Sequence, residues 1–498
     1  MIENANTIIG TFVVYLGVIL LMAYVAYRRT DNLSDFILGG RSLNSWVTAL
    51  SAQATDMSGW LLMGLPGLAY LAGLEAGWMV AGLLVGTYLN WKLVAQRLRE
   101  ATEKLSDALT LPDYFERRFN DNTRMLRLIS GAFVLFFFAL YTSSGFVAAG
   151  KLFETLFGIP YIWAMLLGGG SIVAYTFFGG FLAISWADVM QGSLMFFALV
   201  VVAAMGLYEV GGAAGLADEL NAVNAELLDP FTRASGAALG WIGILSLAGW
   251  GLGYAGQPHI LARFMAIRDS RHMGAARRIA MVWQTTVLFA ALLIGMAGLG
   301  VLDRPLSGAD AEKVFIFMSV KFFPPVIAGI CLSAILAAVM STASAQLLVS
   351  SSAFAEDFYK GLFRKDATRA ELLWVGRLAV LGVAVVALWM ARNPDSRVLE
   401  LVAWAWAGFG AAFGPTVILS LYWRKMNRAG ALAGVVVGGL TTIVWPMFRG
   451  SAPIFDLYEL VPGFVFSMLA IVIATSVATS VGRPGATSMT PASGTHDQ

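Results

Sequence analysis

Charge is what this 498-residue sequence has least of: Asp, Glu, Lys and Arg together make 13%, against roughly 25% in a soluble domain. Half the usual charge cannot cover a water-facing surface, which excludes disorder, a coiled coil and an ordinary globular enzyme. Cysteine occurs once, at Cys331, so no intramolecular disulfide and no thiolate metal centre can form. The three histidines, His259, His272 and His496, are too scattered for a zinc or haem cluster. A net charge of +2 gives no electrostatic footprint for nucleic acid, and none is expected as a partner. No G-x-x-x-x-G-K-[ST] loop cradles nucleotide phosphates, and no nucleophile–His pairing suggests an enzyme. The longest polar segments, near 96–125, 211–238 and 302–321, leave no room for a kinase, ATPase or receptor domain. Any energy source must be an ion gradient.

Apolar stretches fill the space. Hydrophobic residues make up 58% of the chain, and uncharged runs of about 20 residues, each able to cross a ~30 Å hydrocarbon core, recur from end to end. The fold class expected is an all-α polytopic membrane protein; a β-barrel would show short alternating strands. Charges punctuate about thirteen spans: 7–27, 45–72, 76–95, 126–150, 161–186, 189–210, 239–260, 280–301, 322–355, 373–392, 399–423, 430–448 and 457–480. The first lacks a basic n-region and runs into Arg28-Arg29, so it reads as an anchor rather than a cleaved signal. With the N-terminus outside and the C-terminus inside, 25 of the 33 Lys and Arg fall on inner segments, as the positive-inside rule requires. The tail, 481–498, is rich in Pro, Ser, Thr and Gly and reads as disordered. The lipid bilayer is the evident partner, and no obligate protein partner is indicated.

Two spans contradict their own class. Between Arg41 and Glu75 the only charge is Asp56, mid-span, where a carboxylate costs about 2.5–3.5 kcal/mol. Ser58-Gly59 follows at once and Pro66-Gly67 two turns later, and both weaken a helix. The second is Gly249-Trp250-Gly251-Leu252-Gly253-Tyr254-Ala255-Gly256-Gln257-Pro258, with four glycines in eight residues and then a proline. Irregular backbone at membrane depth persists only where protein buries it or a wet cavity borders it. A packing role and a functional role both remain open for each segment from the residues alone. They open the second and seventh spans, five apart. Interrupted spans at corresponding positions of two halves point to an inverted-repeat transporter, with repeats at 45–210 and 239–423. The segment 1–44 and the last two spans, 430–480, are then peripheral. A third segment, 322–355, carries Ser341, Thr342 and Ser344 near the middle of 34 uncharged residues. These hydroxyls either bond back to their own helix or serve a small hard cation.

The runs Gly39-Gly40-Arg41-Ser42-Leu43, Asp56-Met57-Ser58-Gly59-Trp60 and Phe178-Gly179-Gly180-Phe181-Leu182-Ala183-Ile184-Ser185-Trp186, then Asp188, resemble the sodium/solute symporter family. Trp250 to Ala266 and Leu332 to Thr342 resemble its proline-transporting branch, and the likeness runs from about residue 10 to 480. It implies thirteen spans around a leucine-transporter-like 5+5 core with broken first helices, and sodium-dependent uptake of L-proline by alternating access across a bacterial inner membrane. It implies that Na+ is held by the carbonyls of Ala54, Met57 and Ala338 and the hydroxyls of Ser341 and Thr342. It gives Asp56 and Ser58 to sodium coupling and the substrate site, and Trp60, Tyr141, Trp250, Tyr254 and Pro258 to the proline pocket. Arg41 and Asp188 match charges that matter for coupling. Gln53 and Thr55 stand where the resemblance leads one to expect smaller residues. Without the family, Tyr141 reads as core, Arg41 as an interfacial anchor and Asp188 as a helix N-cap. Uptake of another solute such as pantothenate, proton coupling, or a sensor or channel on the same fold are the alternatives.

The chemistry suits such a cargo. Oxygen ligands at a broken helix fit a hard cation. The carboxylate of a zwitterionic imino acid can meet the N–H groups of a half-helix, and its ring and ammonium can lie against Trp and Tyr.

Overall fold

The computed structural model describes residues 5–27, 38–178 and 180–481; the Arg28-Arg29 anchor, Gly179 and the tail from residue 482 lie outside them. The described residues are helical almost throughout, and contain no strand beyond two isolated bridges. In chain order the main helices are α1 (Ala5–Tyr27), α2 (Ser45–Asp56), α3 (Leu65–Ala72), α4 (Gly77–Leu89) and α5 (Met125–Phe157). Then come α6 (Tyr161–Phe178), α7 (Phe181–Glu209), α8 (Gly240–Ala248), α9 (Pro258–Ala266) and α10 (Met273–Val301). The last are α11 (Pro325–Ser352), α12 (Arg369–Met390), α13 (Val398–Tyr422), α14 (Arg428–Val444) and α15 (Leu460–Val481). Nine helical stretches among the described residues are long and apolar enough to cross a membrane, and two shorter ones lie in α1 and α6. The two interrupted spans, α2–α3 and α8–α9, complete the thirteen expected.

Local chemistry sets the ends. The Asn44 side chain accepts from Val47 N (3.0 Å) and starts α2, satisfying an amide that has no partner within the helix. Pro258 and Pro325 stand in the first turns of α9 and α11, where a missing N–H costs nothing. Gly158, at φ +65, ends α5.

Three boundaries differ from the charge-based expectation. Spans five and six divide at Gly180, not before Asp188, so Phe181–Trp186 opens α7 rather than closing α6. The boundary shifts because Asp188 is a buried, paired charge and marks no interface. Likewise α5 runs past residue 150, because Lys151 is buried against Glu312 at 2.8 Å. The eleventh helix continues as a π-helical stretch, Ala353–Phe363, carrying Glu356 and Asp357. The long ninth span therefore extends beyond its uncharged part.

At the centre, α7 packs on α2, α10 and α11, and α11 on α1 and α5. The glycine-rich segment after α8 is held against α13 and α4. The most apolar stretch of α11 is 83% buried, whereas those of α14 and α15 are 33% buried; the hydroxyl-bearing helix runs through the interior. The broken spans run antiparallel to each other. Leu43, before α2, exchanges backbone bonds with Ala266, the last residue of α9, and with Arg268 just beyond it (3.2 and 2.9 Å). At the opposite end of α2, Asp56 meets Tyr254, which precedes α9.

Candidate functional site: two helix breaks and a hydroxyl-bearing helix

The first break frees a carbonyl. In a continuous helix Ser58 N would bond to Ala54 O; instead it bonds to Asp56 O (3.2 Å), with Met57 at φ −88, ψ 81. The open Ala54 oxygen then accepts from Ser341 Oγ (2.7 Å) and lies 3.4 Å from Thr342 Oγ1. The single Ser341 hydrogen is shared between Ala54 O and Ala338 O (3.0 Å). Two carbonyls and two hydroxyls thus converge in one buried place, an all-oxygen set of the kind that suits a monovalent hard cation. Met57, the fifth residue expected, is the buried C-cap of α2, three residues after Ala54.

Asp56 sits at the same break and is 0% exposed. Its Oδ2 accepts from Tyr254 Oη at 3.0 Å, and no described group hydrogen-bonds its Oδ1. Its backbone oxygen accepts from Trp60 Nε1 (3.2 Å) and Tyr141 Oη (3.5 Å). Trp60 N lies 3.5 Å from Ser58 Oγ. A buried carboxylate with one oxygen unspent fits a cation or an ammonium. Burial of Asp56, Trp60, Tyr141 and Tyr254 makes this a closed arrangement.

The second break supplies the aromatic wall. Gly249–Gly256 winds as a 3₁₀ helix and Gln257 is extended before α9 starts at Pro258. Glycine is required by close approach: a Cβ on Gly253 would lie 1.9 Å from Trp406 Nε1, and one on Gly256 2.2 Å from Phe409 O. Trp60 and Trp250 stand 6.3 Å apart, Trp250 stacks on Tyr458 at 5.5 Å, and Tyr254 meets Trp406 edge-on at 5.0 Å. Pro258 lines a different cavity, with Thr110, Val134 and Ser352.

The charged residues separate. Asp188 is no N-cap; it lies inside α7, fully buried, with its Oδ2 bonded to Ser51 Oγ (2.6 Å) and Arg263 Nη2 (3.4 Å). Arg41 reaches neither Asp56 nor Asp188. It donates to Met265 O (2.9 Å) and Ala108 O (3.2 Å) and pairs with Asp107 (3.2 Å). Burial first, and then the neighbouring Arg99, lower its pKa from the ordinary guanidinium value. Gln53 and Thr55 do not crowd the oxygens. Thr55 bonds back to Ser51 O (2.8 Å), and Gln53 donates to Gln284 (2.7 Å).

Sequence reasoning missed Arg263, Gln284, Trp406 and Tyr458. Arg263 and Gln284 could have been singled out as polar side chains within apolar stretches. Trp406 and Tyr458 carry no such signal, since an aromatic near a span reads as core or interface.

Two antiparallel broken helices closing on a hydroxyl-bearing third give the architecture of a leucine-transporter-like membrane protein. Comparison with solved structures agrees. A substrate-bound, outward-open Na+-coupled sialic acid symporter superposes with a TM-score of 0.76 at 20% identity, covering 96% of this chain and 98% of that one. MhsT in complex with L-phenylalanine gives 0.55 at 16%, covering 87% and 98%. The chain belongs to the sodium:solute symporter family, whose model matches residues 36–438. It is 51% identical to the sodium/proline symporter of Escherichia coli (strain K12), over 93% of this chain and 91% of the relative. It is 48% identical to the high-affinity proline transporter PutP of Bacillus subtilis (strain 168), over 91% and 94%. The protein is therefore a sodium-coupled symporter of the membrane, not an enzyme.

Proposed function

We propose that this protein takes up L-proline with sodium by alternating access. Sodium is cargo here, held by the carbonyls of Ala54, Met57 and Ala338 and the hydroxyls of Ser341 and Thr342. Asp56 and Ser58 link that ion to the imino acid, which lies among Trp60, Tyr141, Trp250 and Tyr254, with Pro258 on its route. Asp188 and Arg41 act at a distance: Asp188 braces α2 through Ser51, and Arg41 braces the joint where α2 begins and α9 ends. The single observation that carries the reading is the Ala54 carbonyl, released by the helix break and met by Ser341 at 2.7 Å. The relatives named for sodium and proline supply the cargo's identity.

The antiparallel course of the broken spans supports inverted repeats at 45–210 and 239–423, flanked by a peripheral first span and two peripheral last ones. The Lys and Arg distribution supports an N-terminus outside and a C-terminus in the cytoplasm, and the bacterial relatives support a bacterial inner membrane. The deciding experiment is uptake of labelled proline into proteoliposomes with and without an inward sodium gradient. Sodium-driven accumulation is expected; uptake indifferent to sodium rejects the reading, and equilibration without accumulation turns it into a channel.

A further inference from the structure

A chain of buried polar groups leads away from Asp56 and ends on two glutamines that the sodium site does not use. Gln53 Nε2 donates to Gln284 Oε1 (2.7 Å), Gln284 Nε2 donates to Tyr254 Oη (2.8 Å), and Tyr254 Oη donates to Asp56 Oδ2 (3.0 Å). Gln53 and Asp56 lie on α2, Tyr254 on the 3₁₀ segment and Gln284 on α10. All four side chains are buried, so in this state every link of the chain is made within the protein.

We infer that Gln284 is a positioning residue for sodium coupling: braced by Gln53, it holds the Tyr254 hydroxyl as a donor to Asp56, reserving the other carboxylate oxygen for cargo. The argument is one of proton count. A phenol has one hydrogen to give. An acceptor on its far side would compete for that hydrogen and leave the carboxylate bare; a donor there forces the hydrogen toward Asp56. The Gln284 amide presents its NH₂ to Tyr254 only while its oxygen is occupied from behind, and Gln53 Nε2 occupies it. With Oδ2 engaged, Oδ1 is the oxygen without a partner among the described residues. Polarised in one direction, such a chain strengthens each bond in it. The chain also ties the first broken helix to the second through the scaffold helix α10, so displacement of α10 reaches Asp56 through the Gln284 amide and the Tyr254 phenol.

This rests on the reading of Asp56 as the coupling carboxylate, and the test separates the two. Proline uptake by vesicles is measured against sodium concentration, with the amount of protein in the membrane scored in parallel. Gln284→Met keeps length and removes both polar atoms. It is expected to raise half-saturating sodium about fivefold, the worth of one hydrogen bond, at near-native maximal rate and amount. Combined with Tyr254→Phe it is expected to add nothing, because no hydroxyl remains to orient. Gln53→Met is expected to shift sodium dependence in the same direction by a smaller factor, and to add nothing to Gln284→Met. Where Tyr254→Phe transports too slowly, radioactive-sodium binding to purified protein makes the same comparison. If Gln284→Met fails to accumulate, Gln53→Met alone decides, and unchanged sodium dependence overturns the proposal. An equal shift with and without Tyr254→Phe, or a fall in amount alone, also overturns it. Asp56→Asn with normal sodium dependence would instead overturn the parent reading. Asp56→Asn impaired with Gln284→Met normal removes the relay and leaves the site.

Discussion

Asp56 gives one oxygen to the protein and keeps the other in reserve. Charge at this depth costs about 2.5–3.5 kcal/mol on insertion, which on the proposed reading is offset when the free oxygen engages cargo. Asp56→Asn keeps the size and the Tyr254 contact. Losing an interaction with a charged group is worth about 1.5–3 kcal/mol, so half-saturating sodium should rise roughly tenfold to a hundredfold, measured as sodium-dependent proline uptake. Thr342→Val keeps the shape and removes the hydroxyl 3.4 Å from the Ala54 oxygen. It should weaken sodium dependence about tenfold with normal insertion; unaltered sodium kinetics in both variants would disprove the ion site. At this scale the sequence was partly legible. A lone carboxylate and paired hydroxyls in apolar runs stand out, whereas Gln53 looked like an obstruction until the fold supplied Gln284.

Elements matter where helices stop. The α2 break falls at Met57-Ser58, ahead of Gly59 and well ahead of Pro66, which instead sits in the first turn of α3. The second break needs its glycines for closeness. Gly253→Ala would drive a methyl to 1.9 Å from Trp406 Nε1, and that indole is fixed by its bond to Trp250 O at 2.8 Å. Overpacking of this kind costs about 1–3 kcal/mol, so the variant should show a lower melting temperature in detergent and weaker proline binding. A second element-level device is the buried Asp188–Arg263 pair, which pins α2, α7 and α9 together through Ser51. Breaking such a pair from one side costs about 3–5 kcal/mol, whereas replacing both partners by apolar groups is often neutral. Arg263→Met alone should therefore accumulate poorly, and Arg263→Met with Asp188→Leu should recover much of the protein without recovering transport. Equal amounts of the single and double variants would count against the pair as a pin.

At the scale of the whole molecule, the gradient sets a ceiling. One charge moved down ~100 mV yields about 2.3 kcal/mol, and a tenfold sodium gradient adds about 1.4 kcal/mol. One sodium per proline could then concentrate the substrate roughly 500-fold. Accumulation well beyond that in vesicles of known potential would require a second ion. Topology is testable with the same protein, because the single native cysteine, Cys331, is buried. In a Cys331→Ser background, Ser307→Cys should react with an impermeant maleimide in intact cells. Asp366→Cys should react only in inside-out vesicles. Both positions are exposed, so the reverse pattern would invert the assigned orientation.

Hydropathy, the Asp56 carboxylate in its apolar run and the glycine-rich run determined the class, the number of spans and the places where helices must fail. Each is a local cost that a single segment cannot avoid in lipid. Charge alone misplaced the boundaries at Asp188 and Lys151, since a charge marks an interface only when it stays in water, and both find buried partners far along the chain. Which oxygens face one another was decided by tertiary structure. The Ala54–Ser341 contact joins residues 287 apart, and the Gln53–Gln284 contact joins residues 231 apart. No local pattern encodes such pairs, because their energy arises only when separate helices have packed and excluded the water that would otherwise satisfy them.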